Sequence, residues 1–169
     1  MSDHETNPLW QRAAALAGAV GLVAADHMFK RLAGAKLTPG ELTQLIPRVL
    51  GLRYVENPGI SFSLFGDSET AMRVVTILTG LAMLAGGIFL LLGKLRGAQA
   101  WSVSLILAGG VGNWVDRVAR GCVPDYFEFL FVHFAVFNFA DICITCGVVW
   151  LAALLLREEA RRRKTAVAP

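Results

Sequence analysis

Four long apolar segments constrain the fold of this chain more than any other feature of its sequence. A helix needs about 20 residues to cross a hydrocarbon core of about 30 Å, and each segment is long enough to do so. Hydrophobic residues make up 55% of the 169 residues and charged residues only 17%, which favours a membrane protein over a soluble domain. We therefore predict a single α-helical integral membrane domain over residues 1–169. Its transmembrane helices are predicted at about 9–33, 74–93, 97–116 and 137–156.

The basic residues beside these segments predict the orientation of the chain in the membrane. Lys94 and Arg96 lie in the short turn between the second and third segments. A basic tail follows the fourth segment and contains Arg157, Arg161, Arg162, Arg163 and Lys164. Positive residues in short flanking segments mark the cytoplasmic side, so both termini should be cytoplasmic and residues 34–72 and 117–136 extracytoplasmic. Charged residues follow the first apolar segment at once, which disfavours a cleavable signal peptide.

The first extracytoplasmic segment carries the pattern of a turn and a strand. Asn57, Pro58 and Gly59 suit a type II turn, in which proline supplies a fixed φ and glycine a positive φ. Residues 60–64 then alternate apolar and polar side chains, as in a half-exposed strand. We predict a small β-hairpin here, with one apolar face. The second segment is rich in aromatic residues that are typical of a membrane interface, namely Tyr126, Phe127, Phe129, Phe131, Phe134 and Phe137.

Polar residues of three spans are predicted to reach the same outer end of the bundle. They are Asp26, Lys30, Asn113, Asp116, Arg117, Asn138 and Asp141, and Asp125 lies on the loop before the fourth span. Ionisable residues inside a span are either functional or paired for structure. Asp26 with Lys30, and Asp116 with Arg117, are interpreted as structural pairs of an acid and a base. The other two acids, Asp125 and Asp141, have no basic residue within four positions, which suggests an acid/base couple of neighbouring carboxylates.

Five motifs carry a resemblance to a known family. In chain order they are DHMFK, NPGISFSLF, GNWVDR, GCVPDYFEF and FNFADICI. Their order and approximate spacing are similar to those of the lipoprotein signal peptidases, also called signal peptidase II. The resemblance covers about residues 21–156, which include all four spans. The matches to G-N-x-x-D-R and F-N-x-A-D are complete.

The resemblance implies a four-helix inner-membrane aspartyl endopeptidase with an extracytoplasmic β-cradle and an interfacial outer segment. Its catalytic dyad would be Asp125, in G-x-V-x-D, and Asp141, in F-N-x-A-D. The supporting residues would be Asp26, Lys30, Asn57, Gly59, Asn113, Asp116, Arg117, Asn138 and Ala140. The implied substrate is a diacylglyceryl-modified prolipoprotein, which is cut just before its lipidated cysteine. The implied location is the bacterial inner membrane, with the active site on the extracytoplasmic side.

The chain departs from the family pattern at four positions. His27 and Phe29 stand where the motif D-Q-x-[ST]-K has an amide and a hydroxyl, and Ser61 replaces an alanine. Pro124 precedes Asp125 where valine is usual, and proline removes a backbone donor and restricts its neighbour. These differences concern how the site is braced and which substrates fit, because both aspartates are present.

No cofactor or metal is expected for this chemistry. A hydrolytic zinc site needs histidine ligands, and His4, His27 and His133 are scattered along the sequence. The basic residues are grouped at the predicted cytoplasmic flanks, which argues against a nucleic-acid partner. The expected partners are lipidated prolipoproteins and membrane lipid, with no obligate protein partner evident. Two other classes stay open, namely a catalytically silent membrane protein that binds lipidated helices and a small transporter or scaffold.

Overall fold

Four long helices and three short strands make up the described part of the chain. The computed structural model describes residues 8–59, 69–95 and 97–167. The helices are α1 (Leu9–Lys36), α2 (Glu69–Leu91), α3 (Gly97–Arg120) and α4 (Phe139–Val167). The strands are β1 (Thr43–Ile46), β2 (Leu50–Asn57) and β3 (Val123–Phe129).

The helices extend past the apolar segments that predicted them. α1 continues to Lys36 and α3 to Arg120, and α2 begins at Glu69, so charged residues form their outer turns. α4 continues through its basic tail to Val167. A helix satisfies its own backbone hydrogen bonds in water and in lipid alike. Hydrophobicity therefore marks the part of each helix at membrane depth and not the point where the helix ends.

Three of the described helices, α1, α2 and α4, are long and apolar enough to cross a membrane. Large apolar side chains of α2 are exposed along its length, and Ile77, Leu81 and Leu84 are each more than half exposed. A surface helix of a soluble protein would turn such side chains toward a core. Exposure on this scale suits a lipid environment. The predicted class, an α-helical membrane protein with four helices and a small β-structure, is confirmed.

α3 is the central helix of the bundle and packs against α1, α2 and α4. Two of its glycines allow this close packing. A Cβ atom at Gly109 would overlap the carbonyl oxygen of Ala140, and one at Gly112 would lie 2.6 Å from Asp26 Oδ2. Small residues let helix backbones approach closely where no water separates them. The same approach brings polar groups of α1, α3 and α4 within hydrogen-bond distance.

A three-stranded antiparallel sheet in the order β1-β2-β3 lies where α1 and α3 end and α4 begins. β3 contains Asp125, which lies opposite Val55 of β2. The sequence pattern had indicated only an interfacial aromatic segment here, not a strand. Pro124 lies opposite Glu56 on this edge strand, where the loss of one backbone donor is tolerated.

The hairpin predicted after residue 57 falls partly outside the described residues. Asn57 Oδ1 accepts a hydrogen bond from the N–H of Gly59 at 2.9 Å, so the chain turns at this point. Residues 60–64, the predicted second arm, lie outside the described residues. The hairpin that the structure does describe comes earlier in the chain and is formed by β1 and β2.

Candidate active site

The predicted site residues meet where α1 and α3 end and α4 begins. A cavity of about 490 Å³ opens here, and its wall includes Asn57, Asn113, Arg117, Asp125, Asn138 and Asp141. Four more residues lie behind this wall and are bonded to it or to one another, namely Asp26, Lys30, Asp116 and Ala140. Gly59 donates to the side chain of Asn57. The structure thus brings all the predicted site residues into one cluster.

Asp141 and Asn138 hold each other at the start of α4. Asn138 directly precedes the helix, and its Oδ1 accepts the N–H of Asp141 at 3.0 Å. Asp141 Oδ2 in turn accepts the N–H of Asn138 at 3.0 Å. This reciprocal arrangement is a capping box, with aspartate in place of the usual glutamate or glutamine. The carboxylate of Asp141 is therefore fixed by the start of its own helix.

The other two N–H donors of this first turn are held by residues from distant parts of the chain. Ala140 N–H donates to Asp26 Oδ1 of α1 at 3.0 Å, and Phe139 N–H donates to the Tyr126 hydroxyl of β3 at 3.3 Å. Donors at a helix start have no partner in the helix, and lipid offers none. The positive end of a helix also stabilises nearby carboxylates. Asp26 thus joins α1 to the start of α4.

Lys30 is buried at the centre of the polar cluster, with only 3% of its surface exposed. Its Nζ lies 2.7 Å from Asp26 Oδ2 and 2.7 Å from Asp116 Oδ2. It also donates to Asn113 Oδ1 at 2.9 Å. An ammonium group has three N–H donors, so all of them are used here. The predicted pair of Asp26 with Lys30 is present, and Lys30 also binds Asp116 and Asn113 of α3.

Asp116 does not pair with Arg117 as the sequence interpretation had it. Its partners are Lys30 and Arg120, and Arg120 lies four residues further along α3. Residues four apart lie on one face of a helix, whereas adjacent residues point in different directions. The spacing of Asp116 and Arg120 could therefore have indicated the correct helical partner.

Arg117 lines the cavity instead of pairing with its neighbour. Its Nε atom is buried and has no hydrogen-bond partner in the described part of the chain. The guanidinium lies within electrostatic range of Asp141 and Asp125. A buried guanidinium donor without a partner is costly, so this group is suited to an acceptor that enters the cavity.

A chain of amide groups connects Lys30 to both aspartates of the predicted dyad. Lys30 can only donate, so Asn113 must turn its Oδ1 toward the ammonium group. The Nδ2 of Asn113 then points the other way and donates to Asp141 Oδ1 at 2.8 Å. Asn138 Nδ2 donates to Asn113 Oδ1 at 3.1 Å and to Asp125 Oδ1 at 2.7 Å. The charge on Lys30 therefore sets the direction of the hydrogen bonds that reach Asp125 and Asp141.

Asp125 is 4% exposed and accepts a hydrogen bond at each oxygen. Asn57 Nδ2 donates to its Oδ2 at 2.9 Å, and Asn138 Nδ2 donates to its Oδ1. Burial raises the pKa of Asp125 to about 6, and the negative charge of Asp141 adds to this effect. The two amide donors act in the opposite direction, because they favour the ionised form. Asp125 is thus much easier to protonate than an ordinary carboxylate.

Two of the departures from the family pattern lie beside this network. His27 Nδ1 is 3.6 Å from Asp26 Oδ2, on the side of the carboxylate that also faces Lys30. The ring of Phe29 packs edge-on against Phe139, with 5.3 Å between the ring centroids. Phe29 therefore supports the first residue of α4 by packing. Ser61 lies outside the described residues.

Several residues of the site escaped sequence reasoning. Tyr126 had been interpreted only as part of an aromatic belt, yet its hydroxyl accepts from the backbone of α4. Thr79 and Gly110 line the inner part of the cavity together with Thr145, which helical spacing already places on the same face of α4 as Asp141. The positions of Thr79 and Gly110 depend on how α2 and α3 face α4, and no local pattern encodes that.

Comparisons with known proteins agree with this architecture. The family model described as signal peptidase (SPase) II matches residues 18–157. A lipoprotein signal peptidase of Streptococcus pneumoniae is 36% identical over 141 residues, covering 82% of this chain and 89% of that protein. One of Gloeobacter violaceus is 36% identical over 156 residues, covering 92% of this chain and 86% of that protein.

Two solved structures share the fold. Both are described as bacterial membrane enzymes solved by the in meso method, at 2.3 Å and 1.9 Å resolution. The first has a TM-score of 0.77 at 24% identity and covers 95% of this chain and 96% of its own. The second has a TM-score of 0.75 at 26% identity and covers 92% of this chain and 98% of its own. With the family model matched over most of the chain, this bacterial membrane protein belongs to the signal peptidase II family.

Proposed function

We propose that this protein is a membrane aspartyl endopeptidase that removes the signal peptide from diacylglyceryl-modified prolipoproteins. It would cut the peptide bond just before the lipidated cysteine. The observation that carries the proposal is the pair Asp125 and Asp141. Both line one cavity, and amide donors hold each of them in a different environment. The two relatives described above are both named lipoprotein signal peptidases, which supports the substrate class.

The environments of the two carboxylates suggest how they divide the work. Asp125 is buried, and its pKa of about 6 suits a group that holds a proton. Asp141 lies at the positive end of α4 and accepts from Asn113 and from the backbone of Asn138. We therefore assign Asp125 as the general acid and Asp141 as the general base, two roles that neighbouring carboxylates in unlike environments can share.

Hydrolysis would proceed without a covalent bond between enzyme and substrate. Asp141 takes one proton from water as the water oxygen attacks the scissile carbonyl carbon, while Asp125 donates a hydrogen bond to the carbonyl oxygen. The tetrahedral intermediate then collapses. The C–N bond breaks, and a proton from the dyad goes to the leaving nitrogen. Arg117, whose Nε has no hydrogen-bond partner among the described residues, is placed to bind a carbonyl oxygen of the substrate.

The position of the cavity suits a substrate that is anchored in lipid. It lies at the ends of the helices, and its wall also contains apolar side chains, among them Ile142 and Ile144 of α4. Acyl chains could stay in the bilayer while the scissile bond reaches the polar end. We propose that α3 is the fourth transmembrane helix, that both termini are cytoplasmic, and that the dyad faces the extracytoplasmic side. The basic residues Lys94 and Arg157 support this orientation.

The decisive experiment is cleavage by the purified protein in lipid nanodiscs. A diacylglyceryl-modified peptide and the same peptide without lipid are incubated with the wild type, and the products are identified by mass spectrometry. We expect a single cut before the modified cysteine and little cleavage of the unmodified peptide. Asp125→Asn and Asp141→Asn should each abolish this cleavage.

A matched control for these variants is Glu128→Gln, which neutralises another acid of β3. Glu128 pairs with Arg53 and does not line the cavity. The control variant should cleave like the wild type. Cleavage that survives in either aspartate variant would contradict the dyad. Binding of the lipidated peptide without any cleavage by the wild type would instead indicate a catalytically silent binding protein.

A further inference from the structure

The inner part of the cavity is a groove between two helices that face each other across α3. α2 and α4 both pack against α3, and neither packs extensively against the other in the described part of the chain. Thr79 lies on the α2 side, Thr145 on the α4 side, and Gly110 belongs to the floor formed by α3. The groove continues directly from the two aspartates, because the same cavity contains both.

Two threonine side chains, Thr79 and Thr145, line this groove. Thr145 lies one helical turn after Asp141, on the same face of α4. Within the described residues, neither Thr145 nor Thr79 makes a side-chain hydrogen bond, although a helical threonine commonly bonds to the carbonyl four residues before it. Thr76 of the same helix α2 does so, with its Oγ1 donating to Met72 O at 2.8 Å. The contrast within α2 singles out the hydroxyl that faces the groove.

Thr79 is half-buried and Thr145 is exposed, so a ligand in the groove can reach both side chains. At membrane depth, an unpaired hydroxyl costs free energy unless a ligand or water supplies its partner. A peptide that is about to be cut offers such partners. A membrane-spanning helix satisfies its own backbone groups, but the residues next to a scissile bond must leave the helix to reach the dyad. Their N–H and C=O groups then need new partners, and threonine hydroxyls can both donate and accept.

We propose that Thr79 and Thr145 bind the backbone of the unwound substrate segment that immediately precedes the scissile bond. This inference rests on the proposed endopeptidase function. The ligand class is an extended peptide backbone in lipid. The hydroxyls act on the signal-peptide side of the cut, because the groove leads from the dyad between the apolar faces of α2 and α4. Binding of this kind depends on main-chain groups and accepts varied signal-peptide side chains.

The test combines hydroxyl removal with changes in the substrate backbone. Thr79→Val, Thr145→Val and the double variant remove the hydroxyls with little change in shape. Thr76→Val is the matched control, because its hydroxyl is used within α2 and does not line the cavity. Each variant is assayed with a lipidated peptide and with versions in which one amide before the scissile bond is replaced by an ester. An ester lacks the N–H donor and is a weaker acceptor.

We expect each single change to lower kcat/KM roughly two- to tenfold, as for the loss of one hydrogen bond. Thr76→Val should stay within about twofold of the wild type. At one position, the ester should lower kcat/KM for the wild type but not for the double variant, since the ester and the loss of the hydroxyl remove the same hydrogen bond. A purely structural role for the threonines would leave the ester effects unchanged.

Two results would overturn the inference. One is a double variant that cleaves the amide peptide as well as Thr76→Val does. The other is an ester effect of equal size in the wild type and the double variant at every position. In both cases the wild type still cleaves, so the endopeptidase function itself would stand. Loss of that function would show as absent cleavage by the wild type or as retained cleavage by an aspartate variant.

Discussion

The protonation of Asp125 should control the alkaline side of the pH profile of cleavage. Burial raises the pKa of this carboxyl to about 6, so the protonated general acid is lost as the pH rises through that value. The rate constant kcat/KM should then fall about tenfold for each further pH unit. Asn57→Ala provides a specific perturbation, because Asn57 Nδ2 donates to Asp125 Oδ2 at 2.9 Å.

The size of the effect follows from that one hydrogen bond. A hydrogen bond to a charged acceptor contributes about 1.5–3 kcal/mol, and one to a neutral acceptor about 1 kcal/mol. The difference means that the Asn57 amide favours the ionised form of Asp125 by about 1 kcal/mol or somewhat more. About 1.4 kcal/mol corresponds to one pH unit. Loss of the donor raises the pKa of Asp125, and the alkaline limb of Asn57→Ala should therefore move upward by about one pH unit.

The assay is kcat/KM for a lipidated peptide between pH 5 and pH 9, with the wild type and both variants in the same nanodiscs. Tyr54→Phe is the control, because the Tyr54 hydroxyl on the same strand donates to Glu56 and not to the dyad. Its limb should coincide with that of the wild type. If the alkaline limb of Asn57→Ala stays at the same pH or moves to lower pH, the assignment of Asp125 as the protonated partner is refuted.

Three further predictions concern stability and topology. Asp141→Asn should lower the free energy of unfolding by about 1–3 kcal/mol in thermal denaturation. Both carboxylate oxygens of Asp141 accept hydrogen bonds, and the amide of asparagine would have to point its NH₂ group at one of the two donors. Unchanged stability would contradict the capping box. Gly109→Ala should reduce the yield of folded protein, because the added methyl group meets the backbone of α4. Gly87→Ala on α2 is the control, because its methyl group meets open space and should leave the yield unchanged. Equal yields would mean that α3 and α4 are less closely packed. Reporter fusions after Leu95 and after Arg163 should both report the cytoplasm, and an extracytoplasmic signal from either would overturn the orientation.

The helices and the site composition were predictable because they depend on local patterns. Runs of apolar residues indicated all four helices, and Asp26 with Lys30 followed from helical spacing. The family motifs indicated which polar residues belong together. The structure adds the bonds between them, such as the bond from Ala140 N–H to Asp26 Oδ1, which joins residues 114 positions apart. Only the packing of α1 against the start of α4 creates that contact.

The strand β3 shows why other features could not be predicted. Its sequence, VPDYFEF, has a proline at the second position, Pro124, and carries aromatic residues that equally suit a membrane interface. The segment forms a strand because it pairs with β2, which lies more than 60 residues earlier in the chain. For Arg117, helical spacing could have indicated that Asp116 pairs with Arg120, but only the packing of α1 against α3 brings Lys30 to Asp116. Asp116 is taken by Lys30 and Arg120, which leaves the guanidinium of Arg117 to the cavity.

The most direct test of the central claim is the turnover of Asp125→Asn, Asp141→Asn and the double variant with one lipidated peptide. Binding of the peptide is measured in the same preparations, so that loss of fold is separated from loss of chemistry. We predict that each single change lowers kcat by about a thousandfold or more while binding persists. The double variant should be within about tenfold of the slower single variant, because two groups that act as a unit are not additive. Substantial turnover by either single variant would contradict the two-aspartate mechanism.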